Sequence, residues 1–374
     1  MGKKLRNLSA LFNTHSKITT SYCRLIVYSY EDYIVSSEGA VIRKPGGYIT
    51  FNAFGATSDE EGNNYNSNYS ITVKSIDELP SFETLQNHVK ELIEKIKMKE
   101  QAKPFEGSYM GPVLFVGNAV TDVVHQCFAT TLQAKRKSIL GYNSGETNYE
   151  EKLGQKLVSA DLTITATPTL KTFNGKKTTG YYKIDDEGVM PEDSLVLIGD
   201  GILKALLNGR TPTKKFPKSQ GFAQSFMGRN YSAGVLQLSA AKTTAIDSMK
   251  SRLLQLAKEE GLPTAYIVKD FSFNAPEIYK IDVATGNIEM VNECKITPLN
   301  LKSLRRFVTA SDKMRLENMA DFSIIAPESI IINEIEIEKN ETTTKPKPII
   351  VSNPLLDKSV AGNKQKSSKK KKGR

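Results

Sequence analysis

Four segments with a two-residue hydrophobic period follow one another near the start of the chain, and they constrain its fold more than any other feature. YCRLIVYSY, YIVSSEGAVIRK, GGYITFNAFGA and NYSITVKSI each alternate apolar and polar residues, with Gly, Asn and Asp clusters between them. A strand's side chains point to alternate faces, so such segments bury one face and wet the other, and short connections make neighbours antiparallel. One antiparallel sheet is expected.

Helical spacing then interrupts the strands three times. Leu85, Val89, Leu92, Ile93 and Ile96 form one stripe over about Phe82 to Met98, with Ser81 placed to cap it and His88 at its border. Val120, Val124, Cys127 and Phe128 form a second over about Asn118 to Gln133, after a buried-looking strand PVLFVG. Met249, Leu253, Leu256 and Ala257 form a third over Thr244 to Glu260, which stops at Gly261 with Pro263 beyond. DLTITAT, GYYKID, SLVLIG and GILKALL read as strands between the second and third helices, the last two joined by a hairpin through Gly199, Asp200 and Gly201. YIVKDF, IYKIDV and IEMV follow the third helix, and FSIIAPESIIINEIEIEK reads as a final half-buried strand with a break at Pro327. Isolated helices among antiparallel runs imply an α+β fold with antiparallel or mixed β-sheets, because a parallel fold needs regular βαβ alternation.

A chain of 374 residues is long enough for about two domains. The loop around Ala102 to Gly111 is the expected boundary, which separates residues 1–103 from 104–340. With 39% hydrophobic and 25% charged residues, most of the chain should fold. The net charge of +10 is unevenly placed. Ten basic residues and the single Asp357 lie from Lys345 onward, which leaves 41 basic against 40 acidic before it. The body is thus close to neutral and lacks the electrostatic footprint of a nucleic-acid binder, so such binding is expected only through residues 341–374, which read as a disordered basic tail. No run of about 18 apolar residues occurs, so no membrane span is expected. Cys23, Cys127 and Cys294 have no paired spacing, which favours a reducing, cytoplasmic compartment.

The histidines are His15, His88 and His125, and no two stand at metal-ligand spacing. The cluster Asp185, Asp186 and Glu187 could supply acidic ligands, but Asp-Asp-Glu-Gly between two strands is also what a turn requires. Cys294 reads as a semi-buried thiol.

The strings LGQKLVSADLTITATPT, YYKIDDEGVMPEDSLVLIGDGILKALLNGR and FSIIAPESIIINEIEIEK, in this order and spacing, resemble the C-terminal domain of the TldD/PmbA (TldE) family of zinc metallopeptidases, once labelled modulators of DNA gyrase. The resemblance implies that residues 104–340 are that domain and that 1–103 are a remnant of the family's N-terminal domain, as in a truncated or split member. It also implies an HExxxH metal helix. His125 falls on its first His, Gln126 on its catalytic Glu and Thr130 on its second His, so HQCFAT is a degenerate form. An i, i+5 pair sits about 140° apart on a regular helix, so the motif already needs a distorted one. The family's Gly-His-Ala-Arg loop is matched by SQGFAQS, with Phe222 and Gln224 in the His and Arg places.

These departures predict a catalytically impaired homologue without a bound cofactor, although active members carry zinc. A neutral amide at Gln126 cannot take a proton from zinc-bound water. The expected roles are peptide binding by strand addition and service as a partner subunit, in a homodimer or in a heterodimer with another TldD/PmbA-like chain joined through the C-terminal domain. The alternatives are an active zinc peptidase with other ligands, drawn from Cys127 or the 185–187 cluster, and association of the tail with nucleic acid or acidic membrane.

Overall fold

The computed structural model describes residues 2–60, 62–136, 147–224, 231–270 and 276–340. The tail expected over 341–374 lies outside the described residues.

The first three strands, β1 (Thr20–Val35), β2 (Val41–Ser58) and β3 (Asn64–Val73), form an antiparallel meander in the order β1-β2-β3. The expectation of four short strands is corrected here. YIVSSEGAVIRK is not one strand but the end of β1, a tight turn and the start of β2, with Ser36 and Ala40 exchanging backbone contact across Gly39 (φ 88°). Gly39 supplies a left-handed turn residue inside a run that otherwise looks continuous. Ile49, Phe51 and Ala53 of β2 point to one face and are buried there under helices α1 (Gly2–Ala10) and α2 (Phe82–Gln101). Ser81 caps α2 by accepting the Thr84 amide at 3.1 Å. Helix α1 is a further element, unanticipated because nine residues with two core leucines give little periodic signal.

The rest of the described chain builds two larger sheets around helix α3 (Asn118–Phe128), with α4 (Met249–Glu259) on the outside. In one sheet, strand Ser108–Val116 lies between Ser329–Lys339, antiparallel, and Thr264–Asp270, parallel. In the other, Leu162–Ala166 pairs with Val235–Ala240, which is followed by Ser323–Pro327 and then by Met314–Asn318 at the edge. The architecture is α+β with mixed sheets, as the pattern of segments implied. Val120, Val123, Val124, Cys127 and Phe128 of α3 are all buried in the core that joins the two sheets. Burying each valine or phenylalanine is worth roughly 1.5–3 kcal/mol, which fixes the helix axis and hence where His125 faces.

The break expected at Pro327 is present: Ser323–Pro327 belongs to one sheet and Ser329–Lys339 to the other, and Glu328 alone carries the chain across. One strand expectation fails. GYYKID is not a strand. Gly180 approaches Gly234 so closely that a Cβ would lie 2.0 Å from its carbonyl oxygen, and the chain there bonds through Thr179 and Ser323 side chains.

Candidate functional site

Helix α3 starts at Gly117, whose φ of 62° lets the chain leave the central strand abruptly. His125 lies on its last full turn, half-buried, with its ring edge-on to Phe322 at 6.4 Å between centroids. Gln126 is exposed. The helix ends at Phe128, several residues before the expected Gln133, so Thr130 sits in the turn that follows it. Cys127 faces the core, where burial pushes its thiol up to about 12, and Cys294 is raised to about 12 for the same reason. Neither thiol has appreciable thiolate at neutral pH.

The acidic cluster is divided among three tasks. Asp185 is fully buried and accepts backbone N–H bonds from Val189 at 2.8 Å, Glu187 at 3.0 Å and Ala223 at 3.0 Å. Glu187 accepts the Arg210 amide, and Asp186 accepts from the Lys44 ammonium. Among the described residues no group of three or more His, Cys, Asp or Glu side chains is placed to hold a metal ion. The zinc site implied by the resemblance does not fit the residues present: His125 has a ligand-type side chain, whereas Gln126 and Thr130 offer only an amide and a hydroxyl.

Phe222 and Gln224 are both buried, and Gln224 meets a partner the sequence did not suggest. Lys44 of β2 donates to its Oε1 at 2.6 Å as well as to Asp186, and lies over the Tyr182 ring at 5.8 Å. Beside it Tyr30 donates to Asp321 at 3.1 Å. Burial, the largest influence, raises the Asp321 carboxyl above the usual range, while the Tyr30 bond and the Lys74 and Lys44 charges oppose it. Tyr30 can lie flat across the meander because its cross-strand neighbour is Gly46, where any Cβ would fall about 2.1 Å from the ring. The meander thus closes over the loops beside His125. A glycine pair within the GGYITFNAFGA strand was the one local signal of it, since Lys44 and Asp321 are remote in sequence.

A groove of about 520 Å³ runs between two strand edges, β3 on one side and Met314–Asn318 on the other. Asn118 at the start of α3 lines it, held by Arg315 at 3.1 Å, and Arg315 also pairs with Glu317 at 2.5 Å. Because β3 and Met314–Asn318 each end a sheet, each has a row of backbone groups with no strand partner within its own sheet.

Comparison with known proteins places this geometry. A family profile described as the PmbA/TldA metallopeptidase C-terminal domain matches residues 106–339. A metalloprotease of Archaeoglobus fulgidus is 33% identical over 102 residues, which are 27% of this chain and 21% of that protein. The fold resembles that of a candidate modulator of a DNA gyrase from Thermotoga maritima, with TM-score 0.67 and 16% identity over 90% of this chain and 73% of the other. It also resembles TldE from Thermococcus kodakarensis, with TM-score 0.64 and 14% identity over the same shares. The chain thus matches only about a fifth of the length of its curated relative.

Proposed function

The chain belongs to the PmbA/TldD metallopeptidase family, and from that membership we propose that it is a homologue that binds extended peptide without hydrolysing it, acting as a peptide-holding or partner subunit. The observation that carries this reading is the set of side chains on α3. His125 is the single metal-type side chain at the three motif positions, Gln126 replaces the carboxylate that would accept a proton, and no alternative set of three ligands converges among the described residues. The groove between β3 and Met314–Asn318 supports the peptide-binding part, because two strand edges facing one opening offer main-chain donors and acceptors to an extended chain of any sequence. The three free cysteines are consistent with work in a reducing, cytoplasmic compartment.

The test combines metal analysis with binding. After dialysis against buffer, the purified protein is expected to hold substoichiometric zinc, to leave an unfolded peptide intact, and to raise the fluorescence anisotropy of that peptide when labelled. One equivalent of zinc lost on His125→Ala, together with peptide hydrolysis, would overturn the reading in favour of an active peptidase. No change in anisotropy would remove the peptide-holding role.

A further inference from the structure

The groove beside α3 is closed at one end by the chain itself. Thr172–Phe173 and Lys176–Lys177 form a tight hairpin, turned through Asn174 (φ 48°) and Gly175 (φ 78°), and Phe173, Asn174 and Lys176 line the groove. Lys177 ties this hairpin to both walls. Its backbone N–H donates to Glu78 Oε1 at 2.7 Å, just beyond β3, and its carbonyl accepts from the Asn318 side-chain amide at 2.9 Å. Its ammonium donates to Ser75 Oγ at 2.8 Å. An extended chain running between β3 and Met314–Asn318 therefore meets Lys177 and stops there. Glu328 lines the opposite end, beside Met314, where its amide donates to the Lys313 carbonyl at 2.7 Å.

We propose that this groove recognises the C-terminal end of an extended peptide, with the peptide carboxylate on Lys176 and a cationic residue about four positions upstream on Glu328. The inference rests on the peptide-holding reading and names the class of peptide held. A closed end selects a chain terminus, because a mid-chain segment would have to pass through Lys177. The charges select which terminus. Five charged side chains line the groove, and three of them are engaged. Glu78 accepts from Ser75 and Lys177, and Arg315 pairs with Glu317 at 2.5 Å. Lys176 and Glu328 make no ion pair among the described residues. Both stand near Glu317: burial raises its carboxyl, Arg315 and then Lys176 oppose the rise, and Glu328 adds to it. The charge left over is thus positive at the closed end and negative at the other. An ammonium there makes a strong, charge-assisted bond to a carboxylate and repels a peptide's amino terminus. The two ends lie apart by the length of Met314–Asn318, four steps of about 3.3 Å, which sets the spacing between the carboxylate and the upstream cation.

Fluorescence anisotropy of the full chain with short unfolded peptides, labelled at the amino end, tests this. Each peptide is made with a free and with an amidated C-terminus, and with lysine or glutamine four positions before the end. Amidation should weaken binding about tenfold or more, and glutamine in place of lysine should weaken it severalfold. Lys176→Gln should leave the affinity for the amide unchanged and bring the free acid down to it, while Glu328→Gln should erase the upstream preference alone. Unchanged melting temperatures of both variants would separate these effects from misfolding. Equal binding of acid and amide, or a loss on Lys176→Gln that falls on both alike, would overturn the inference and leave the peptide-holding reading standing. Absence of binding by every peptide would remove that reading and the inference together.

Discussion

Lys99, near the end of α2, is 5% exposed and donates to the Asn66 carbonyl at 2.9 Å. Burial is the main cause that lowers its ammonium to about 8, against 10.5 for an ordinary lysine, and the Glu277 carboxylate opposes the shift. Between these values the folded chain has released a proton that the unfolded chain still holds, so stability rises with pH across the window and is lost as pH falls through about 8. Replacing Lys99 by Met should remove that dependence. Urea denaturation at pH 7 and at pH 10 should show the wild type gaining on the Lys99→Met variant by on the order of 3 kcal/mol at the higher pH. Asp185 makes a different case, because its carboxylate is a backbone substitute for three amides. Asp185→Ala should cost about 2–4 kcal/mol in a chemical melt by leaving buried N–H groups without acceptors, and it should loosen the loop that carries Asp186 towards Lys44.

Elements were legible where local pattern and final burial agreed. The α2 stripe of Leu85, Val89, Leu92, Ile93 and Ile96 is buried as its spacing implied, because one face of an isolated helix meets one sheet. GYYKID misled because its alternation serves a close backbone crossing, which depends on Gly234, more than fifty residues away. Gly180→Ala tests that origin directly: a methyl group there meets main chain that cannot swing aside, so a loss of about 3 kcal/mol or more is expected in thermal or urea unfolding. In FSIIAPESIIINEIEIEK Pro327 marks the break, but a single residue, Glu328, separates the two strands, and only the pairing partners tell the sheets apart. The candidate site was half legible. His125, Gln126, Cys127 and Phe128 could be placed on a helix from their spacing, whereas Ala129 and Thr130 fall beyond its end, and Lys44, Tyr30 and Asp321 come from strands and loops whose meeting is signalled locally by the Gly46–Gly47 pair alone.

At the scale of the whole molecule the charge is unevenly distributed along the sequence. Residues 345–374 hold nine of the ten net positive charges, while the last described strand ends at Lys339. Deletion from Lys345 onward should therefore leave the melting temperature almost unchanged and sharply reduce salt-sensitive retention on heparin, measured as the elution salt concentration. Central strand Ser108–Val116 has another property of the whole chain. Its antiparallel neighbour, Ser329–Lys339, is more than two hundred residues later, and its parallel neighbour begins only at Thr264. At a synthesis rate of about 5–20 residues per second, a ribosome takes roughly 10–45 seconds between finishing the first of these strands and finishing the last. Until Thr264–Asp270 has been made, Val113, Leu114 and Phe115 have no neighbouring strand of their sheet to pair with, and the antiparallel side stays unpaired until the end of the interval. The yield of the chain in a cell should therefore depend on synthesis speed more than its equilibrium stability suggests.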